Sequence, residues 1–206
     1  MKYVVALTAG LLLPLGASWA GDWTVGGSLG RAQGDTAASE LNYQLAAQGL
    51  SATASSSEDS RTAWQLYVGY SYTPSWGMEV GYVDLGKVKT RFSGTTTDID
   101  TFLATASEIH PQTAQGWQLS GHFRYPLGER FAAKARLGAF AWQSDYTLAT
   151  SSVSRRVTRN GLSGFGGVGV EYTLLHDTVA HLGYGRYDID GEPIAVVSVG
   201  MSYRFE

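Results

Sequence analysis

Apolar residues recur at every second position through eight segments of this 206-residue chain, and that period of two constrains the fold more than any other feature. Residues 22–32 place Trp23, Val25, Gly27 and Leu29 on one face. Residues 63–73 place Trp64, Leu66, Val68, Tyr70 and Tyr72 on one face, with Gln65, Tyr67, Gly69 and Ser71 on the other. The same alternation runs from Met78 to about Phe92, and through residues 114–125, 130–146, about 162–174, 178–188 and 193–205. Tight turns are expected at residues 74–77, 126–129 and 175–177, where Pro, Gly, Ser and Asp gather. Between them lie long connections at residues 33–62, about 93–113 and 147–161, and a short one near 189–192. Eight strands with connections alternating long and short predict an all-β fold. The expected architecture is an eight-stranded antiparallel transmembrane β-barrel of up-and-down topology.

The alternative is a soluble barrel with its apolar face inside, and Gly21-Asp22-Trp23 matches the G-x-W of lipocalin-like strands over three residues. The charges argue for the opposite polarity. Glu79, His122, Arg124, Lys134, Arg136, Glu171 and Arg204 fall on the alternate face, where a dry ligand cavity would strip them of water. In a membrane barrel that face is the polar interior. Tyr72, Trp76, Tyr125, Phe131, Tyr172, Tyr203 and Phe205 fall close to the short turns or the C-terminus, as one interfacial aromatic belt requires. The mean hydropathy of −0.10 suits alternating strands rather than spanning helices. At the N-terminus, Lys2, the apolar run of residues 4–15 and Ser18-Trp19-Ala20 predict a Sec signal peptide over residues 1–20, leaving residues 21–206 as the barrel domain. The expected location is the bacterial outer membrane. Zero cysteines fit export, and a net charge of −3 gives no nucleic-acid footprint.

Several short segments, in this order and spacing, resemble the transmembrane domain of the OmpA-type outer-membrane barrels. They are Gly69-Tyr70, Met78-Glu79-Val80-Gly81-Tyr82, Ala114-Gln115-Gly116-Trp117-Gln118-Leu119, Tyr125-Pro126-Leu127, Ala135-Arg136-Leu137-Gly138, Gly169-Val170-Glu171-Tyr172 and Ser202-Tyr203-Arg204-Phe205. The resemblance covers about residues 62–205. The periplasmic peptidoglycan-binding domain of full-length members is expected to be missing, and with it a cell-wall tether. A terminal strand ending in an aromatic resembles the signal read by the outer-membrane assembly machinery, although Glu206 follows Phe205 here. The resemblance also implies an interior network of Glu–Arg and Glu–Lys pairs. Its two glutamates correspond to Glu79 and Glu171 and its strand-five arginine to Arg136, while His122 stands at the lysine position and His181 at an arginine position. All five have inward parity. Histidine titrates near neutral pH, so the network is read either as a structural plug or as a pH-sensitive Glu/His gate. A two-His, two-Glu metal site is the least favoured alternative, and no metal or cofactor is expected.

The connections carry the remaining signals. Residues 38–49 have helical periodicity with a Gly stop, residues 51–60 are polar, and Ile99, Phe102 and Leu103 suggest a short helix in the second loop. Arg155, Arg156 and Arg159 in the third loop, with Arg186 near the rim, are candidate contacts for lipopolysaccharide phosphates; ordinary solvated charge is the competing reading. The function expected is that of a structural, surface-exposed barrel supporting envelope integrity, with adhesion or host interaction through its loops. The alternative is a narrow low-conductance pore gated by the interior Glu/His set. An enzyme is not expected, because His122 and His181 point inward while His176 and His110 lie in a turn and a loop. Expected partners are outer-membrane lipids, lipopolysaccharide and the assembly machinery; no nucleic acid is expected, and the chain should be a monomer.

Overall fold

The computed structural model describes residues 21–34, 52–56, 60–86, 90–94, 114–149 and 154–205. The signal-peptide expectation for residues 1–20, the helices expected in the first two loops and His110 lie outside the described residues. The elements are β1 (Asp22–Gly34), β2 (Ala52–Ser56), β3 (Ser60–Ser71), β4 (Trp76–Asp84), β5 (Thr90–Gly94), β6 (Gln115–Pro126), β7 (Phe131–Ala149), β8 (Ser154–Leu175), β9 (Thr178–Ile189) and β10 (Glu192–Phe205). Eight of them close into an antiparallel barrel in the order β1-β10-β9-β8-β7-β6-β4-β3, while β2 and β5 pair separately. Closure comes from β1, which pairs with β10 (Trp23 opposite Phe205) and with β3 (Trp23 opposite Tyr70). With no open edge, every strand can satisfy its backbone groups inside a bilayer.

Burial follows the alternation residue by residue. On β3 the pattern from Arg61 to Gly69 is strictly buried then exposed, with Trp64, Leu66 and Val68 outward. The periplasmic ends carry the expected aromatic belt, including Trp76 on Phe123 at 4.7 Å and Phe131 on Tyr172 at 4.8 Å. A second belt, not anticipated, stands on the outward face toward the opposite rim: Trp64 and Tyr82 lie 5.8 Å apart, and Tyr82 and Trp117 5.5 Å. Two aromatic girdles bracket the apolar band of a membrane barrel.

Turn chemistry matches the sequence. In the first tight turn Tyr72 N–H donates to Trp76 O at 2.9 Å, and Thr73 Oγ1 accepts from Trp76 N at 3.0 Å. The β9–β10 connection has Asp190 at φ 57° and Gly191 at φ 86°, the left-handed pair of a two-residue hairpin turn. Two boundaries differ from expectation. The third strand stops at Asp84 rather than running to Phe92, because Asp84 Oδ1 accepts from Gly86 N at 2.8 Å and Gly86 takes a φ of 79°; β5 then pairs with β2. The stretch read as a third loop, residues 147–161, is mostly strand: β7 and β8 stay paired from Phe131–Tyr172 out to Ala149–Ser154. Its residues keep a strand-compatible composition on both sides, and period-two pairing continues past the membrane.

Candidate functional site: a lumen in two layers

Inward-facing residues fill the barrel, and they change character along its length. Toward the periplasmic end they are charged. Glu79 on β4 is 2% exposed. Lys134 Nζ, reaching over from β7, donates to Glu79 Oε1 at 2.5 Å and lies 3.3 Å from Glu171 Oε1. Arg124 Nε on β6 donates to Glu171 Oε2 on β8 at 2.9 Å. Arg136 lies 3.6 Å from Glu79 Oε2, and His122 Nδ1 lies 3.5 Å from Glu79 Oε1 without forming a hydrogen bond. One lysine therefore bridges two glutamates, and each glutamate has a second permanent cation beside it. Such mutual pairing is what allows charge to persist away from water.

Register explains this grouping. Arg124 and Lys134 are Cα partners across β6–β7, as are His122 and Arg136, so four basic residues share two adjacent rungs. Glu79 and Glu171 approach from β4 on one side and β8 on the other. Inward glycines make the room: a Cβ at Gly77 would collide with the His122 ring, one at Gly26 with Tyr67 and one at Gly200 with His181.

Of the five residues read from the sequence as the network, Glu79, His122, Arg136 and Glu171 come together. His181 is the Cα partner of Glu171 but faces the Tyr67 ring, at 6.1 Å between centroids, and forms no ion pair among the described residues. Lys134 and Arg124, recognised in the sequence as inward charges, were left out of the network, yet they make its shortest contacts. Both glutamates are thus held by permanent cations, Lys134, Arg124 and Arg136, with His122 beside them. Among the described residues no three His, Asp or Glu side chains gather at metal-binding distance.

Toward the outer end the interior is mainly apolar, with one buried charge, Arg61, which donates from Nε to Leu85 O at 2.6 Å. Leu85, Phe140, Phe165, Tyr187, Ile189, Ile194 and Val196 are all buried in one cluster with Trp142. The Tyr187 ring stacks on Phe165 at 5.1 Å and meets Phe140 edge-on at 5.3 Å. The expectation of a polar interior therefore holds for one half only, since inward parity near the outer rim is occupied by aromatic and branched residues. A thin polar layer separates the halves. Tyr187 donates its O–H to Gln118 Oε1 at 3.1 Å. Gln65 Nε2, Gln118 Nε2 and Ser120 Oγ have no hydrogen-bond partner among the described residues. A cavity of about 20 Å³ beside Gln65, Arg136 and Tyr187 has room for one water.

The candidate lipid contacts separate in the same way. Arg159 Nη1 pairs with Asp190 Oδ2 at 3.1 Å. Arg186 is exposed on β9, with the outward parity of Leu182 and Tyr184. Arg155 and Arg156 are placed as backbone on β8, opposite Leu148 and Thr147.

Comparisons with known proteins agree with this architecture. Outer membrane protein A of Klebsiella pneumoniae is 30% identical over 147 residues, covering 66% of this chain and 39% of that protein. Outer membrane protein A of Serratia marcescens is 27% identical over 149 residues, covering 68% and 38%. The chain thus spans well under half the length of these relatives. The N-terminal β-barrel domain of Pseudomonas aeruginosa OprF superposes with a TM-score of 0.51 at 10% identity, covering 89% of this chain and 97% of that one. A family model described as the OmpA-like transmembrane domain matches residues 19–206. By that match and by its closed eight-stranded barrel, the chain belongs to the OmpA-like transmembrane domain family and resides in the bacterial outer membrane.

Proposed function

We propose that this chain is a sealed structural barrel of the outer membrane, one that supports the envelope and presents its extracellular connections for surface recognition, and that catalyses no reaction. The observation that carries the reading is double closure of the lumen. Phe140, Leu85 and Ile194 fill the outer half at less than 2% exposure, and Glu79 is bound between Lys134 and Arg136 in the inner half. A hydrated path would have to disrupt both layers. Surface recognition is supported by an open groove of about 680 Å³ between β8 and the β9–β10 turn, lined by Arg159, Asp188 and Asp190 among others.

The pore reading draws on the His122–Glu79 approach, which protonation of His122 would strengthen. Against it, both glutamates are held by a lysine and an arginine, Lys134 and Arg124, rather than by a histidine. Acidification through the histidine range would then leave the main pairs in place. Assembly through the C-terminal strand and a monomeric state complete the proposal; β10 ends at Phe205 directly opposite Trp23, so the last aromatic sits at the closing seam.

Liposome swelling tests the central point. Vesicles carrying the refolded chain should shrink in hypertonic arabinose and stay shrunken, like protein-free vesicles, at pH 5 as at pH 8. Swelling at the rate of a general porin, or a rate that switches on at acid pH, would favour the gated pore instead.

A further inference from the structure

We propose that Arg31 and Arg186 form a two-point clamp for the phosphate-bearing headgroup of an outer-leaflet lipid. This extends the lipopolysaccharide contact expected for Arg186 from the sequence and rests on it; the closing experiment separates the two.

The argument begins with parity. On β1, Trp23, Val25 and Leu29 face out, and Arg31 is the next exposed residue in that series. On β9, Leu182 and Tyr184 face out, and Arg186 follows them. Both arginines are exposed, and among the described residues neither is ion-paired. The other arginines and the lysine described on the barrel strands below the rim point inward or sit at the periplasmic end. Arg61 donates to Leu85 O at 2.6 Å, and Arg124, Lys134 and Arg136 belong to the ionic layer.

Depth comes next. Arg31 lies eight residues along β1 from Trp23 of the periplasmic belt. At ~3.3 Å per residue and a strand tilt of ~40°, that is about 20 Å across the membrane, near the top of an apolar band ~25 Å tall. The outer aromatic belt gives the same level independently: Trp64 is the Cα partner of Leu29, and Arg31 is one outward step beyond it. An outward arginine is costly at the midplane and nearly free at the interface, where lipid phosphates lie.

Register then joins the pair. Arg31 is the partner of Val197, which is the partner of Tyr184; Arg186 is the partner of Ala195, which is the partner of Gln33. The arginines therefore flank β10 from both sides, ~10 Å apart laterally, with only Ala195 and Val197 standing between them on that face. Arginine forks match phosphate oxygens in pairs, and two of them across a low saddle can take one headgroup from both sides. The far side of the outer rim has the opposite chemistry, with Trp64, Tyr82 and Trp117 in an arc over β3, β4 and β6. Phosphate is thus drawn to one flank of the barrel, that of β9, β10 and β1. Asp188, one outward step beyond Arg186, limits how far from the membrane an anion can sit.

The test titrates labelled lipopolysaccharide onto the full chain in nonionic detergent micelles and reads fluorescence anisotropy. Arg31→Gln and Arg186→Gln should each weaken binding about five-fold, and the double variant about twenty-five-fold. Arg→Lys at either position should fall between, since charge is kept and the fork is lost. Arg130→Gln, at the periplasmic end, should bind like the parent. Dephosphorylated lipopolysaccharide should bind the parent as weakly as the intact lipid binds the double variant, and millimolar inorganic phosphate should not compete. If only Arg186→Gln weakens binding, the contact stands and the clamp falls. If the double variant binds like the parent, with circular dichroism showing an intact barrel, both fall. Displacement by inorganic phosphate would overturn the lipid as ligand, and the single lysine variants decide the matter should the double variant not fold.

Discussion

In the outer half of the lumen Phe140 is fully buried among Tyr187, Phe165 and Ile194, whereas in the inner half Glu79, buried almost as deeply, sits among Lys134, Arg136 and His122. Both halves bury their inward side chains, yet they fail differently. Apolar closure sums many weak contacts, so losing one side chain leaves a cavity whose cost scales with its size. Ionic closure is held by a few strong contacts, so losing one partner leaves a charge without compensation in a narrow tube. The polar layer of Gln65, Gln118 and Ser120 keeps the two regimes apart.

The difference can be broken from either side. Lys134→Met should be the most damaging single change, because both glutamates lose the ammonium they share. We expect a loss of about 3–5 kcal/mol, read as a lower urea midpoint for unfolding from phospholipid vesicles; a loss below that of an apolar truncation would mean the ionic layer is hydrated and not sealed. Phe140→Ala should cost about 3 kcal/mol in the same assay, and its cost should not change when Lys134 is also replaced, since the two lie six residues apart along β7, roughly 20 Å. Gly77→Ala, which drives a methyl group toward the His122 ring and the backbone of Tyr70, should cost about 1–3 kcal/mol and should be relieved in part by His122→Ala. Arg159→Gln at the rim breaks a pair in which Asp190 is 64% exposed, so it should change stability by less than about 1 kcal/mol.

Much of the fold was legible because a period of two survives any change in loop length. Trp64, Leu66 and Val68 declare their face with no knowledge of the neighbouring strand, and Asp190-Gly191 declares its turn. The site was legible only as far as parity reaches. That Glu79, His122, Arg136 and Glu171 point inward follows from alternation along single strands. That Lys134 touches both glutamates does not, because it depends on strand order, tilt and the reach of a long side chain over the lumen. Carrying residues over from the resemblance placed histidines where cations were expected and missed that Arg124 and Lys134 share a rung one step away. The apolar plug carried a signal in the sequence, since Val83, Leu85, Tyr187, Ile189 and Ile194 have inward parity near the outer strand ends. A single rule of polar interior and apolar exterior hides it. The end of β4 at Asp84 turns on one side-chain acceptor and one glycine, features weaker than the alternation read from the sequence to about Phe92.

Single-channel conductance in planar bilayers tests the central claim, two independent closures in series, most directly. The parent chain, Lys134→Met and Phe140→Ala should each leave the bilayer without steady conductance, and the combined variant should open discrete steps. Steady channels from the parent, or from either single variant alone, would contradict it.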